Sequence, residues 1–155
     1  MSDLPHLRPD GGAHMINVGE KSDTHRVAVA EAFVRLSPDT VRLVRSSELK
    51  KGDALSVARI AGIAAVKKTP DLLPLAHPLL VAHVDVALEV VEDGVRIETR
   101  VETTGPTGVE MEALTAASVA ALNLYDMVKA HERGAVVERV QLLEKRGGRS
   151  GHWTR

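Results

Sequence analysis

Between Gly108 and Lys129 the ionisable residues Glu110, Glu112, Asp126 and Lys129 interrupt a background of Ala, Leu, Met and Val. Carboxylates and an amine set among apolar residues are groups that move protons in enzymes, so acid-base catalysis is the chemistry this stretch suggests. The background is helical in character. On a helix, the spacing from 112 to 126 leaves Glu112 and Asp126 about 40° apart around the axis, with Lys129 beside Asp126. They share a face, yet a rise of ~1.5 Å per residue sets Glu112 and Asp126 roughly 21 Å apart. The two carboxylates therefore serve opposite ends of a large ligand or belong to different sites. Spacing alone equally describes Asp126 and Lys129 as a surface ion pair worth about a few tenths of a kcal/mol. Glu110 and Glu112, in the first turn, equally describe the usual acidic complement to a helix dipole.

His77 lies in the run DLLPLAHPLL. An imidazole there is either an acid-base group near neutral pH or a core histidine satisfied by a backbone carbonyl. Basic residues gather as Lys50-Lys51, as Lys67-Lys68, and as Lys145, Arg146 and Arg149 around Gly147-Gly148. Each run alone reads as solvated surface. Together they suit a polyphosphate, because lysines supply point charges and glycines let backbone amides approach oxygens. The 7 histidines include no close helical pair, and His77 and His83 are not spaced as a zinc motif, so no metal site is assigned. Neither G-x-x-x-x-G-K-[ST] nor G-x-G-x-x-G occurs, which leaves P-loop hydrolysis and dinucleotide binding without support.

These residues need elements to position them. HRVAVAEAFVRL, from His25 to Leu36, alternates as a strand. Ser37-Pro38-Asp39 offers an N-cap and a proline for a short helix from Thr40 to Leu49. Asp53 caps a second helix whose apolar positions run from Leu55 to Val66, with Pro70 ending it. The proline-rich run is then an ordered connector, and burial of Leu72, Leu73, Leu75 and Leu79 would fix His77. Strands Val81 to Val91 and Val95 to Thr103 flank Glu92-Asp93-Gly94, where Asp-Gly supplies the positive backbone angles of a tight hairpin. A long helix from about Val109 to Glu132 is ended by Gly134, and a strand covers Ala135 to Leu143. The basic, glycine-rich tail is expected to be mobile until an anion orders it and to close over substrate. The order of elements predicts an α+β, ferredoxin-like sandwich, a mostly antiparallel sheet with helices on one face.

At 155 residues the chain suits one domain, here 1–155, with 1–14 and 146–155 expected to be flexible. A hydrophobic fraction of 44% with 26% charged residues sets aside disordered and coiled-coil classes. A net charge of −1 gives no global field toward nucleic acid or anionic membrane, and Phe33, Tyr125 and Trp153 are too few to stack bases. No apolar run approaches the ~20 residues of a membrane span. The absence of cysteine excludes thiolate zinc sites and fits a reducing compartment, so the cytoplasm is expected.

Four segments read together carry a resemblance: KSDTHRVAVAEAFV, KGDALSVARIAGIAAVKKTPDLLPLAHPLL, GVEMEALTAASVAALNLYDMVKA and LLEKRGGRSGHW. From about Met15 to Trp153 the chain resembles the cyclic pyranopterin monophosphate synthase family, lyases of molybdenum cofactor biosynthesis. The resemblance implies a ferredoxin-like subunit in a homohexamer, a trimer of dimers, with active sites between subunits. It implies as substrate a small nucleotide, 3',8-cyclo-7,8-dihydroguanosine 5'-triphosphate, and as products cyclic pyranopterin monophosphate and diphosphate. No cofactor is called for, and Mg2+ is admitted only as a companion of the triphosphate. By position, Lys51, His77, Glu110, Met111, Glu112, Asp126, Lys129 and Lys145 match the family's active-site motifs, with Asp126 and Lys129 as the central catalytic pair. Opening the reduced imidazole ring and closing a pterin need several proton transfers, for which carboxylates and desolvated lysines of near-neutral pKa are suited. On that basis Asp126 and Lys51 exchange protons with the ring, Lys129 and Lys145 shuttle protons or stabilise charge, and Lys67, Arg146 and Arg149 hold the triphosphate. His77 joins both the catalytic and the substrate-binding set. The chain departs from the family pattern at Ala76, where cysteine is usual, and at Arg149, where lysine is common.

Overall fold

The computed structural model describes residues 7–155. For residues 1–6, the expectation of a flexible lead-in lies outside the described residues. The chain forms β1 (Thr24–Arg35), α1 (Pro38–Ser46), α2 (Ala54–Val66), α3 (Thr69–Leu72), β2 (Val81–Val91), β3 (Gly94–Gly105), α4 (Glu110–Val128), β4 (Val136–Arg146) and β5 (Trp153–Thr154). The sheet order is β2-β3-β1-β4-β5 and every pairing is antiparallel. Two crossovers, β1 to β2 through α1 to α3 and β3 to β4 through α4, make this the ferredoxin-like α+β sandwich.

Alternation puts Ala28, Ala30, Ala32 and Val34 of central β1 on the inner face, beside Val101, Thr99, Ile97 and Val95 of β3. The small side chains of β1 let α4 approach closely, and α4 answers with Ala113, Ala116, Ala117, Ala120, Ala121 and Leu124, all buried. Helices α1, α2 and α4 share one apolar core with that face. A Cβ on Gly62 of α2 would lie 3.2 Å from the carbonyl oxygen of Ala116 and 3.3 Å from Cβ of Ala120, so these two helices nearly touch backbones. On the outer face, Glu31 of β1 accepts hydrogen bonds from Arg96 and Gln141 and pairs with Arg139, and these long side chains cover that side of the sheet.

The expected caps form: the Ser37 hydroxyl accepts from Thr40 N–H, and the Asp53 carboxylate accepts from Ser56 N–H. Several boundaries differ from expectation. Pro70 does not end α2, which stops at Val66; it sits in the first turn of α3, where a missing N–H costs nothing. Leu72 and Leu75 are exposed, so the connector rests on Leu73 and Leu79. In the hairpin, neither Asp93 nor Gly94 has a positive φ. Val91 pairs with Gly94 across Glu92-Asp93, and the glycine is required by space: a Cβ there would stand 2.1 Å from the carbonyl oxygen of Val34.

Helix α4 ends at Val128, short of Glu132. The Glu132 carboxylate accepts from the backbone N–H and hydroxyl of Ser37 at the start of α1, and Tyr125 donates its hydroxyl to the carbonyl of Arg133. These contacts pull the last expected turn out of the helix axis. Strand β4 runs on to Arg146, and the tail expected to be mobile turns back through Gly147, Gly148 and Gly151, all of positive φ, so that Trp153 pairs with Lys145. Arg155 donates its backbone N–H to Leu143 and its guanidinium N–H to Leu142, closing that return.

Candidate active site

Helix α4 divides the candidate residues between its two ends. At its C-terminal end the Asp126 carboxylate is held between two amines, Lys129 Nζ at 2.8 Å and Lys51 Nζ at 3.0 Å. Lys51 comes from the loop before α2 and also donates to the Asp126 carbonyl at 2.9 Å. Cations suit this position because the last carbonyls of a helix carry partial negative charge. Lys129 first, then Lys51, holds the Asp126 carboxyl below its ordinary range, and Asp126 in turn raises the Lys129 amine. The expected desolvated lysine of near-neutral pKa is thus not present at Lys129 in the single chain: its side chain is half exposed and paired. The resting state here is carboxylate with ammonium.

At the N-terminal end of α4, a cleft of about 190 Å³ is lined by His77, Ala76 and Leu79 of the connector, Ile16, Thr107, Gly108 and the first-turn residues Glu110, Met111 and Glu112. Glu112 is 3% exposed, and its Oε2 has no hydrogen-bond partner among the described residues. Burial, aided by the nearby charge of Glu110, pushes its carboxyl above the ordinary range, although it stands at a helix N-terminus that favours the anion. Burial thus favours the neutral form of this carboxyl.

At the same end of the sheet lies a basic cleft of about 270 Å³, lined by Glu20, Lys21, Ser22, Thr24, Arg26, Gly148 and Arg149. Arg26 crosses from β1 to donate to the carbonyls of Gly105 and Pro106, at 2.9 and 3.2 Å, just before α4 begins. A Cβ on Gly148 would collide with that guanidinium, so the left-handed glycine lets the returning chain lie against Arg26. Lys145, opposite Ala28 on β1, donates to Ser150 within the return. Arg146 is engaged by Glu144, and Lys67, at the end of α2, lines a separate groove with Ile63 and Leu79 to Val84.

The structure therefore groups Lys51, Asp126 and Lys129, and separately groups His77, Glu110, Met111 and Glu112, with Lys145 and Arg149 at the latter end. It does not bring the two groups together within one chain. Sequence reasoning did not single out Lys21 and Arg26, although both stand in the segment KSDTHRVAVAEAFV; an arginine opening a buried strand, where its stem is covered while its head stays polar, was the available signal. Among the described residues no His, Asp or Glu side chains cluster as a metal-binding group.

Comparison with known proteins matches residues 15–148 to the model of the MoaC family. The chain is 54% identical over 154 residues to a cyclic pyranopterin monophosphate synthase of Corynebacterium glutamicum, covering 99% of each chain. It is also 54% identical over 157 residues to a protein of the same name from Thermomicrobium roseum, covering 100% of this chain and 95% of the relative.

Proposed function

The chain belongs to the MoaC family, and from that membership we infer that it is a lyase that makes cyclic pyranopterin monophosphate in molybdenum cofactor biosynthesis. Its substrate is 3',8-cyclo-7,8-dihydroguanosine 5'-triphosphate, and diphosphate leaves as the cyclic phosphate closes. The observation that carries the site assignment is the division of proton-transfer groups along α4: a carboxylate flanked by ammonium groups at one end, a buried acid beside a histidine and a basic cleft at the other.

Neither end is sufficient for this reaction. The triphosphate needs cations, which Arg149, Lys21 and Arg26 supply, none of them paired with a carboxylate among the described residues; ring opening and closure need groups that give and take protons, which Asp126, Lys51, Lys129 and Lys145 supply. Glu110, Met111, Glu112 and His77 line the wall against which the purine-derived ring sits. Lys67, lining the groove that shares Leu79 with the His77 cleft, and Arg146, paired with Glu144, are assigned to the phosphates of a substrate shared with a neighbouring subunit. The site is completed between chains, in a homohexamer built as a trimer of dimers. Supporting this, Leu80, Ile60 and Leu122 are 91%, 66% and 62% exposed, apolar surface that a partner chain would cover. Mg2+ enters only with the triphosphate, and we place the reaction in the cytoplasm; no described helix is long and apolar enough to cross a membrane.

The test supplies the cyclised triphosphate and follows diphosphate and a pterin product. Asp126→Ala and Lys129→Ala each lose at least about a hundredfold in kcat, the usual range for removing a proton-transfer group. Turnover that survives both substitutions sinks the assignment, and native assembly size must be verified alongside.

A further inference from the structure

Thr99 and Thr103 stand on the inner face of β3, in line with Val95, Ile97 and Val101, and are 0% and 1% exposed. A buried hydroxyl costs free energy unless it is bonded, and valine has nearly the same shape without that requirement. Both hydroxyls are bonded, and to backbone that adjoins the lining of the His77 cleft on two different elements. Thr99 Oγ1 donates at 2.7 Å to the carbonyl of Ala113, which directly follows Glu112 in the first turns of α4. Thr103 Oγ1 donates at 2.6 Å to the carbonyl of Leu80, where the connector carrying His77 enters β2. A helix carbonyl has a second lone pair, so the Thr99 bond adds a link between helix and strand without displacing the helix ladder.

Their distribution follows the cleft. The first half of the inner face of β3 presents Val95 and Ile97 to the core, and the second half, which leads toward α4, presents Thr99, Val101 and Thr103. No other side chain is hydrogen-bonded to either group they would position among the described residues, the Glu112 carboxyl having only its own backbone N–H. Glu112 Oε2 is buried without a partner, and the His77 ring makes no hydrogen bond among the described residues. The placement of acid and imidazole is then set by the backbones that carry them.

We infer that Thr99 and Thr103 are positioning residues for the reaction, two rungs of one strand that fix the Glu112 and His77 walls of the cleft at a set separation. The inference rests on the assignment of that cleft to the active site. A displacement of about 1 Å in a supporting backbone is enough to cost a large factor in rate while leaving ligand affinity nearly intact.

The test compares Thr99→Val and Thr103→Val with Thr99→Ser and Thr103→Ser in the full-length assembled protein, measuring kcat, KM and thermal midpoint. Each valine variant is expected to melt cooperatively and to lose about tenfold in kcat with KM within about twofold, while each serine variant stays within about twofold of wild type. In a Glu112→Gln background, Thr99→Val then changes the residual kcat by less than about twofold, as does Thr103→Val in a His77→Ala background, because each threonine acts through the group already removed. If a valine variant does not fold, serine is compared with alanine at the same position and must exceed it by about tenfold in kcat. Valine variants at wild-type kcat, while Glu112→Gln and His77→Ala are impaired, overturn the positioning role and leave the cleft standing. Equal losses in both backgrounds overturn it as well, showing a general structural effect. Full activity in Glu112→Gln and His77→Ala removes the cleft itself, and the positioning role with it.

Discussion

If each active site joins the two ends of α4 from different subunits, two inactive variants should restore one another. The perturbation is Asp126→Asn in one preparation and Glu112→Gln in another, each removing a charge or proton while nearly preserving shape. Along one helix the two carboxylates are roughly 21 Å apart at ~1.5 Å per residue, so a shared reacting centre from a single chain is excluded by length. When equal amounts are dissociated and reassembled, each intersubunit site draws its Asp126 end and its Glu112 end independently. One combination in four is native at both ends, so about a quarter of wild-type turnover should return. If both ends instead act on one extended ligand from the same chain, every site keeps a lesion and the mixture stays at the level of its parents. The assay is diphosphate release with pterin formation, with subunit exchange verified by mass on differently tagged chains. A mixture that has exchanged fully and regains nothing refutes the division of the site between chains.

Three further outcomes follow from particular contacts. Burial raises the folded-state pKa of Glu112, so the native state holds its proton at pH values where the unfolded chain has released it; Glu112→Gln should therefore raise the thermal midpoint near neutrality, and the difference should vanish as pH falls below the unfolded carboxylate value. Burial works to raise Glu132, but hydrogen bonds from Thr40 and Ser37 outweigh it and lower the pKa; its contribution is present above the unfolded value and lost as pH falls through the lowered folded one. Glu132→Ala should cost about 1.5–3 kcal/mol in urea unfolding at neutral pH, with a smaller gap in acid. Gly94→Ala drives a methyl group into the Val34 carbonyl and should cost about 3 kcal/mol or more by the same measurement; a cost near zero would show that β1 and β3 yield there.

What was legible depended on whether a signal was local. The alternation of β1 and the caps at Ser37 and Asp53 are decided within a few residues, and they formed as read. The end of α4 was not legible, because the sequence from Lys129 to Glu132 remains compatible with helix; a contact between Glu132 and Ser37, distant in sequence, decides it. The hairpin forms, but without the positive backbone angles expected of Asp93-Gly94; the role of Gly94 lies in the close approach of β1, which no local pattern records. The return of the tail to β4 has the same origin, since a glycine-rich basic segment carries no local signal that Lys145 and Trp153 pair. For the site, helical spacing could place Lys129 beside Asp126 but could not deliver Lys51, which arrives through the close crossing of α2 and α4 at Gly62.

The protonation states at the two ends of α4 are opposite in kind, and this bears on the chemistry of a joined site. Asp126 is kept ionised by its lysines, whereas Glu112 is driven toward its neutral form by burial. Carboxyl groups whose environments separate their pKa values can take different roles at one pH, the ionised one accepting a proton while the neutral one donates. Within a single chain the difference does no chemistry, because the groups are a helix length apart. Brought to one ligand from neighbouring chains, they form a proton acceptor with two adjacent ammonium groups and a proton donor with an imidazole beside it. Binding would also change the first group: covering Lys129 removes water from an ammonium that is now half exposed, which opposes the charge that Asp126 sustains. On the proposed intersubunit site, assembly and substrate together would supply the desolvated lysine that the single chain lacks. A pH profile of kcat should accordingly show a basic limb below the ordinary lysine range, one that Lys129→Arg abolishes because a guanidinium does not deprotonate in that range. A basic limb that survives Lys129→Arg unchanged would assign that proton to Lys51 or Lys145 instead.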